Sequence, residues 1–155
     1  MSIVLGLVAA LVQRTKLETP LLLSRVPAGF PSPADDFLEK RLDLNEYLIK
    51  NPPATFLVRV SGQSMQDAGI FDGDLLVVDK SIQPVSGSIV VAVLYGEFTV
   101  KKLKLQNGKA YLTPANSAYA GIEVSPEMDC QVWGVVSSVI RKLSCAEKTH
   151  ISEAT

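Results

Sequence analysis

From Thr55 to Ile140 the chain is punctuated by short runs rich in valine and isoleucine, and this limits its fold more than any other feature. The runs are Phe56 to Val60, Asp74 to Asp79, Ser88 to Leu94, Phe98 to Leu105, Ala110 to Thr113 and Gln131 to Ile140. Turn dipeptides such as Asp72-Gly73, Ser86-Gly87, Tyr95-Gly96 and Asn107-Gly108 lie between them. β-Branched side chains suit a pleated, half-buried surface, and glycine after aspartate, asparagine or serine suits the turn. Strands at this spacing, with no long helical pattern between them, predict a mostly β fold. The expected unit is a compact antiparallel β domain rather than a doubly wound α/β sheet.

The chain has 155 residues, 47% of them hydrophobic, which is enough for one core without disulfide or metal support. Its 15 basic and 16 acidic side chains leave a net charge of -1. No basic field exists to neutralise phosphates, so direct sequence-specific DNA binding is not expected and any work on DNA goes through a partner. Cys130, Cys145 and the single histidine, His150, do not make a zinc site or a disulfide framework; two reduced thiols in a cytoplasmic protein are expected. The apolar run Ile3 to Val12 is shorter than the roughly 20 residues of a membrane span and has no basic residue before it. It reads as a packing arm, with a signal peptide as the lesser alternative.

Residues 1–28 are therefore expected to form an N-terminal arm, 29–143 the β-rich domain and 144–155 a frayed polar tail. Within Pro27-Ala28-Gly29-Phe30-Pro31-Ser32-Pro33, three prolines and a glycine oppose helix and central strand, which predicts an extended, accessible segment. Asp43-Leu44-Asn45-Glu46 resembles a capping box, and Leu44, Tyr47 and Leu48 give one short helical stripe that Pro52 and Pro53 end. The strand around Trp133 reads as core, with a subunit seam as the other possibility.

Ser61-Gly62-Gln63-Ser64-Met65 follows a predicted strand, and its glycine lets the chain turn so that a serine projects from the strand end. Serine after glycine is also ordinary turn chemistry, so it becomes a nucleophile only if something activates it. His150 stands five residues from the end of the sequence, a poor place for a triad base. The remaining candidate is a lysine.

In the hairpin from Ser88 to Leu105, alternation puts Thr99, Lys101, Leu103 and Leu105 on one face and Phe98, Val100, Lys102 and Lys104 on the other. Lys101 then points toward the core with Leu103 and Leu105. The plainer alternatives are a lysine at the sheet margin that reaches out to water, or a bulge that resets the register. Burial without a counter-charge would lower its pKa toward the range of a general base at cytosolic pH. Neutral Lys101 would take the proton of Ser64, and the backbone amides of Gln63 and Ser64 would hold the oxyanion. That chemistry calls for no cofactor and no metal.

Five motifs in order carry a resemblance: Ala28-Gly29-Phe30-Pro31-Ser32-Pro33; Ser61-Gly62-Gln63-Ser64-Met65; Gly69-Ile70 with Asp72-Gly73-Asp74; Glu97-Phe98-Thr99-Val100-Lys101-Lys102; and Pro114 with Asn116-Ser117-Ala118-Tyr119. The chain resembles the LexA/UmuD (S24) family of self-cleaving serine peptidases from about Pro20 to Lys142. The resemblance implies Ser64 as nucleophile, Lys101 as base and the bond between Ala28 and Gly29 as substrate. It also implies a homodimer of the SOS response, stimulated by the RecA filament on single-stranded DNA. The shortened product would serve a UmuC-like error-prone Y-family translesion polymerase. Many relatives have cysteine before the scissile glycine, where this chain has Ala28, and others have alanine.

A repressor role is not expected, because the 28 residues before that bond hold no helix-turn-helix pattern. A signal peptidase would also join serine and lysine on a β fold, but it needs a membrane span. A non-catalytic polymerase or RecA adaptor would keep the same fold with Ser64 and Lys101 inert; incubation at alkaline pH separates it from a self-cleaving enzyme.

Overall fold

The computed structural model describes residues 16–23, 25–31 and 39–144. The apolar run Ile3 to Val12 and the polar end from Cys145 lie outside those residues. The chain divides after Lys50 into two units.

In the first unit, β1 (Glu18–Leu22) pairs antiparallel with β2 (Glu39–Asp43), from Glu18 opposite Asp43 to Leu22 opposite Glu39. These strands were not expected from sequence. Glu39-Lys40-Arg41-Leu42-Asp43 is charged, and β1 carries Pro20 and is exposed along its length, so neither shows an apolar alternation. Helix α1 (Leu44–Leu48) follows where the sequence places it, and the Asp43 carboxylate caps it by accepting from the Asn45 amide at 2.9 Å. Its expected apolar stripe is not buried: Leu44 and Tyr47 are exposed, and Leu48 is half-buried.

In the second unit seven antiparallel strands form one sheet in the order β3-β4-β9-β5-β6-β7-β8. They are β3 (Thr55–Arg59), β4 (Leu75–Asp79), β5 (Ile89–Leu94), β6 (Glu97–Gln106), β7 (Lys109–Thr113), β8 (Ile122–Val124) and β9 (Cys130–Ile140). The mostly β antiparallel reading is therefore correct. Two hairpins close in two residues, Tyr95-Gly96 and Asn107-Gly108, all with positive φ, which matches the right-handed twist of the flanking strands. The strand around Trp133 is β9, hydrogen-bonded to β4 on one side and β5 on the other. Its register slips once against each partner, between Val77 and Val78 and between Val91 and Ala92.

The sheet is apolar on both faces: β5 alone places Val91 in one buried cluster and Val90 and Ala92 in another. One cluster joins Val60, Met65, Ile70, Leu76, Val78 and Val91, with Phe56, Val58, Val100 and Trp133 against it. The other joins Val90, Ala92, Leu103, Leu112 and Val135. β6 does not bury the single face that its alternation predicts. Val100 packs in the first cluster and Leu103 in the second, whereas Leu105, expected inside, is 51% exposed near the end of the hairpin.

Candidate active site

The loop from Ser61 to Asp74 connects β3 to β4 and carries Ser64. Gly62 turns it at φ +93°, and the Gly62 amide donates to the Asp72 carboxylate at 2.8 Å. Met65 is driven into the core and is 2% exposed. Its carbonyl accepts from the Ala68 and Ile70 amides at 3.1 and 3.2 Å. Ser64, one residue earlier, is half-buried at the mouth of the core.

Lys101 sits where β6 loses a neighbour. β7 pairs with β6 only from Lys102 to Gln106, so the strand has an unpaired margin from Glu97 to Lys101. Lys101 is opposite fully buried Val90 in β5 and is itself half-buried. Its Nζ lies 3.1 Å from Ser64 Oγ and 3.2 Å from the Val100 carbonyl oxygen, to which it donates. Among the described residues it makes no ion pair. Burial holds its pKa below the ordinary lysine value, since no carboxylate repays the lost hydration.

A cleft of about 200 Å³ opens beside Ser64. Val58 to Gly62 form one wall and Phe98 to Val100 the other. Both walls carry unpaired backbone. The Leu103 amide and carbonyl bond back to Ser88 and Gly87, at 2.8 and 2.7 Å, so alternation turns the polar groups of Phe98 and Val100 to the free margin, where Lys101 Nζ takes the Val100 carbonyl and leaves the amide. β3 is an edge strand, and since Val60 bonds to Gly73 and Asp74, the Arg59 amide and carbonyl face outward. An extended peptide entering here finds main-chain partners on both sides.

The Peptidase S24-like family model matches residues 20–137. This chain belongs to that family. It is 48% identical to Protein SamA of Salmonella typhimurium over 136 residues, covering 88% of this chain and 94% of SamA. Protein ImpA of Escherichia coli is 49% identical over 123 residues, covering 79% and 83% of the two chains. LexA repressor 2 of Pseudomonas putida is 42% identical over 126 residues, 81% of this chain and 61% of the repressor.

Within this S24-like chain the expected site residues fall into two groups. Ser64, Lys101 and the Gln63 and Ser64 amides come together in the second unit, and among the described residues neither amide donates to a protein acceptor. Ala28 and Gly29 lie in the first unit, exposed, in a bend from Ala28 to Phe30 rather than the extended run expected. Val26 and Phe30 on either side are 81% and 93% exposed. No described helix is long and apolar enough to cross a membrane.

Sequence reasoning gave no role to Arg141. It follows β9 directly, binds both oxygens of Asp74 at 2.6 and 2.5 Å, donates to the Gly69 carbonyl at 2.9 Å and lies over the Phe71 ring. It ties the end of the Ser64 loop to the sheet. The guanidinium holds the Asp74 carboxyl down at about 2. A lone arginine after a strand carries no sequence signal for this; only the fold brings residues 141 and 74 together.

Proposed function

We propose that this chain is a self-cleaving serine endopeptidase in which Lys101 activates Ser64 and the bond cut is Ala28 to Gly29. The observation that carries the reading is the 3.1 Å approach of Lys101 Nζ to Ser64 Oγ, made by a half-buried lysine without a counter-charge. An exposed lysine of ordinary pKa stays protonated near neutrality and cannot accept a proton; desolvation raises the neutral fraction.

The segment around Ala28 enters the cleft as an added strand. Neutral Lys101 takes the Ser64 proton as Oγ attacks the Ala28 carbonyl carbon, and the Gln63 and Ser64 amides stabilise the oxyanion. Collapse breaks the C–N bond, and Lys101 returns the proton to the Gly29 nitrogen. Water, deprotonated by Lys101, then attacks the Ser64 ester; Lys101 gives that proton to the departing Ser64 Oγ, and a 28-residue fragment ending in Ala28 is freed. Alanine before glycine suits this attack, since neither side chain shields the carbonyl.

Family membership supports a setting in the cytoplasmic SOS response, as a homodimer whose cleavage is stimulated by the RecA filament on single-stranded DNA. The shortened form acts as the accessory subunit of a UmuC-like translesion polymerase. The near-neutral charge fits a protein that reaches DNA through partners. The test is to incubate the full chain at neutral pH with RecA, single-stranded DNA and a nucleotide that keeps the filament active. A new N-terminus at Gly29 that depends on the filament is expected. An intact chain under these conditions, and at alkaline pH alone, would leave a non-catalytic adaptor.

A further inference from the structure

One short segment after β7 bonds to both peptide planes that flank Ser64. The Ala115 amide donates to the Ser64 carbonyl at 2.8 Å, and the Ala115 carbonyl accepts from the Asp67 amide at 2.7 Å. The Asn116 side-chain nitrogen donates to the Gln63 carbonyl at 2.8 Å, shorter than the 3.3 Å bond that the same oxygen accepts from the Gln66 amide. The Asn116 side-chain oxygen in turn accepts from the Ala118 amide at 3.0 Å, which fixes which end of the amide points at the loop. Asn116 is half-buried, and the segment leaves β7 just where β6 reaches Lys101.

In a trans peptide the carbonyl oxygen and the following N–H point in opposite directions within one rigid plane. No cis bond occurs among the described residues, so anchoring the Gln63 oxygen toward Asn116 turns the Ser64 N–H away from Asn116. That N–H has no protein acceptor among the described residues. A free, aimed donor beside a nucleophile is what oxyanion stabilisation requires, and its value lies in being fixed before charge develops.

We infer that Asn116 is a positioning residue for the oxyanion site: by holding the Gln63 carbonyl it aims the Ser64 amide at the developing negative charge. This rests on the reading of Ser64 as the nucleophile. Asn116 touches no reacting atom, so its loss lowers the rate of cleavage without changing the protonation of Lys101.

The test uses the full chain, with self-cleavage followed by intact mass from pH 7 to 11 in the wild type, N116D and N116A. An ionised aspartate keeps an acceptor for the Ala118 amide but cannot donate to the Gln63 carbonyl. If the donated bond matters, N116D and N116A both lose about 30- to 100-fold in the plateau rate, toward the loss from deleting one oxyanion donor. In N116A the pH of half-maximal rate and the melting temperature stay near wild type, whereas the added carboxylate of N116D raises the midpoint by favouring the charged lysine. N116D cutting at the wild-type plateau rate would overturn the positioning role alone. A shifted pH midpoint in N116A would move the effect to Lys101, and failure of both variants to fold would make Asn116 structural; either result overturns the inference. A wild type that never cuts itself would overturn the reading of Ser64 and this inference with it.

Discussion

Replacing Met65 by alanine separates the stability of the core from the placement of Ser64, the proposed nucleophile. Met65 is 2% exposed in the same cluster as Leu76, which is fully buried, so each loses a comparable set of contacts on truncation. Either substitution costs about 2–5 kcal/mol. A domain of this size is stable by about 5–15 kcal/mol, so both variants keep a folded majority in most of that range. Their effects on cleavage differ. Leu76 lies inside β4, while Met65 is bonded to Ser64 and its carbonyl anchors the Ala68 and Ile70 amides. A displacement of about 1 Å at a reacting group costs up to about 100-fold in rate. Met65→Ala should therefore cleave at least about 10-fold more slowly than Leu76→Ala at equal folded fraction. Urea unfolding, read from the single tryptophan, gives the folded fraction. Trp133 packs tilted against Phe56 and Phe98 with centroids 4.3 and 4.8 Å apart, so its emission reports on that cluster. Intact mass gives the rate. Equal rates for the two variants would refute the view that Met65 sets the position of Ser64.

Three further outcomes are expected. Gly134→Ala places a Cβ 2.7 Å from Val78 Cγ1 and 3.4 Å from the Asp79 carbonyl oxygen. Val78 is fully buried and stiff at χ1, so the variant loses about 1–3 kcal/mol in urea unfolding, and an unchanged midpoint would show that β4 and β9 yield freely. Asp74, held at about 2, is ionised in the fold below the pH at which a free carboxyl protonates. Its contribution is complete above the ordinary aspartate value near about 4 and is lost as pH falls toward 2, so D74N should flatten the acid limb of the urea midpoint between pH 4 and 2. Burial depresses the pKa of Lys101, so the protonated side chain opposes folding and its penalty fades as pH rises through the folded value toward the ordinary one. Lys101→Met should match or exceed wild-type stability at pH 7, with the difference shrinking by pH 10; a marked loss at pH 7 would indicate that the ammonium has a favourable partner.

The valine- and isoleucine-rich runs located six strands of the large sheet because each is bounded by turn chemistry and each buries a face. β8 escaped notice: three residues after Gly121 are too few for an alternation. β1 and β2 were invisible for a different reason. Charged, exposed strands form through pairing with a partner some 20 positions away, and local pattern does not encode that. At the site, Ser64 stood out from its glycine turn and Lys101 from its alternation with Leu103. The alternation gave the right neighbourhood through an incomplete premise, since both faces of the sheet are apolar and Lys101 reaches Ser64 from the margin where β7 ends. Asn116 and Arg141 act through residues 53 and 67 positions away in sequence, and only the folded chain brings those groups together.

The pairing of Ser64 with a depressed Lys101 is tested most directly by the pH dependence of self-cleavage, with Ser64→Ala and Lys101→Ala variants beside the wild type. The rate should rise with pH and level off with a midpoint below the ordinary lysine value of about 10.4. The wild type should lose a 28-residue N-terminal fragment, and neither variant should lose it at any pH. Release of that fragment from either variant, or a wild type that stays intact throughout, would contradict the dyad.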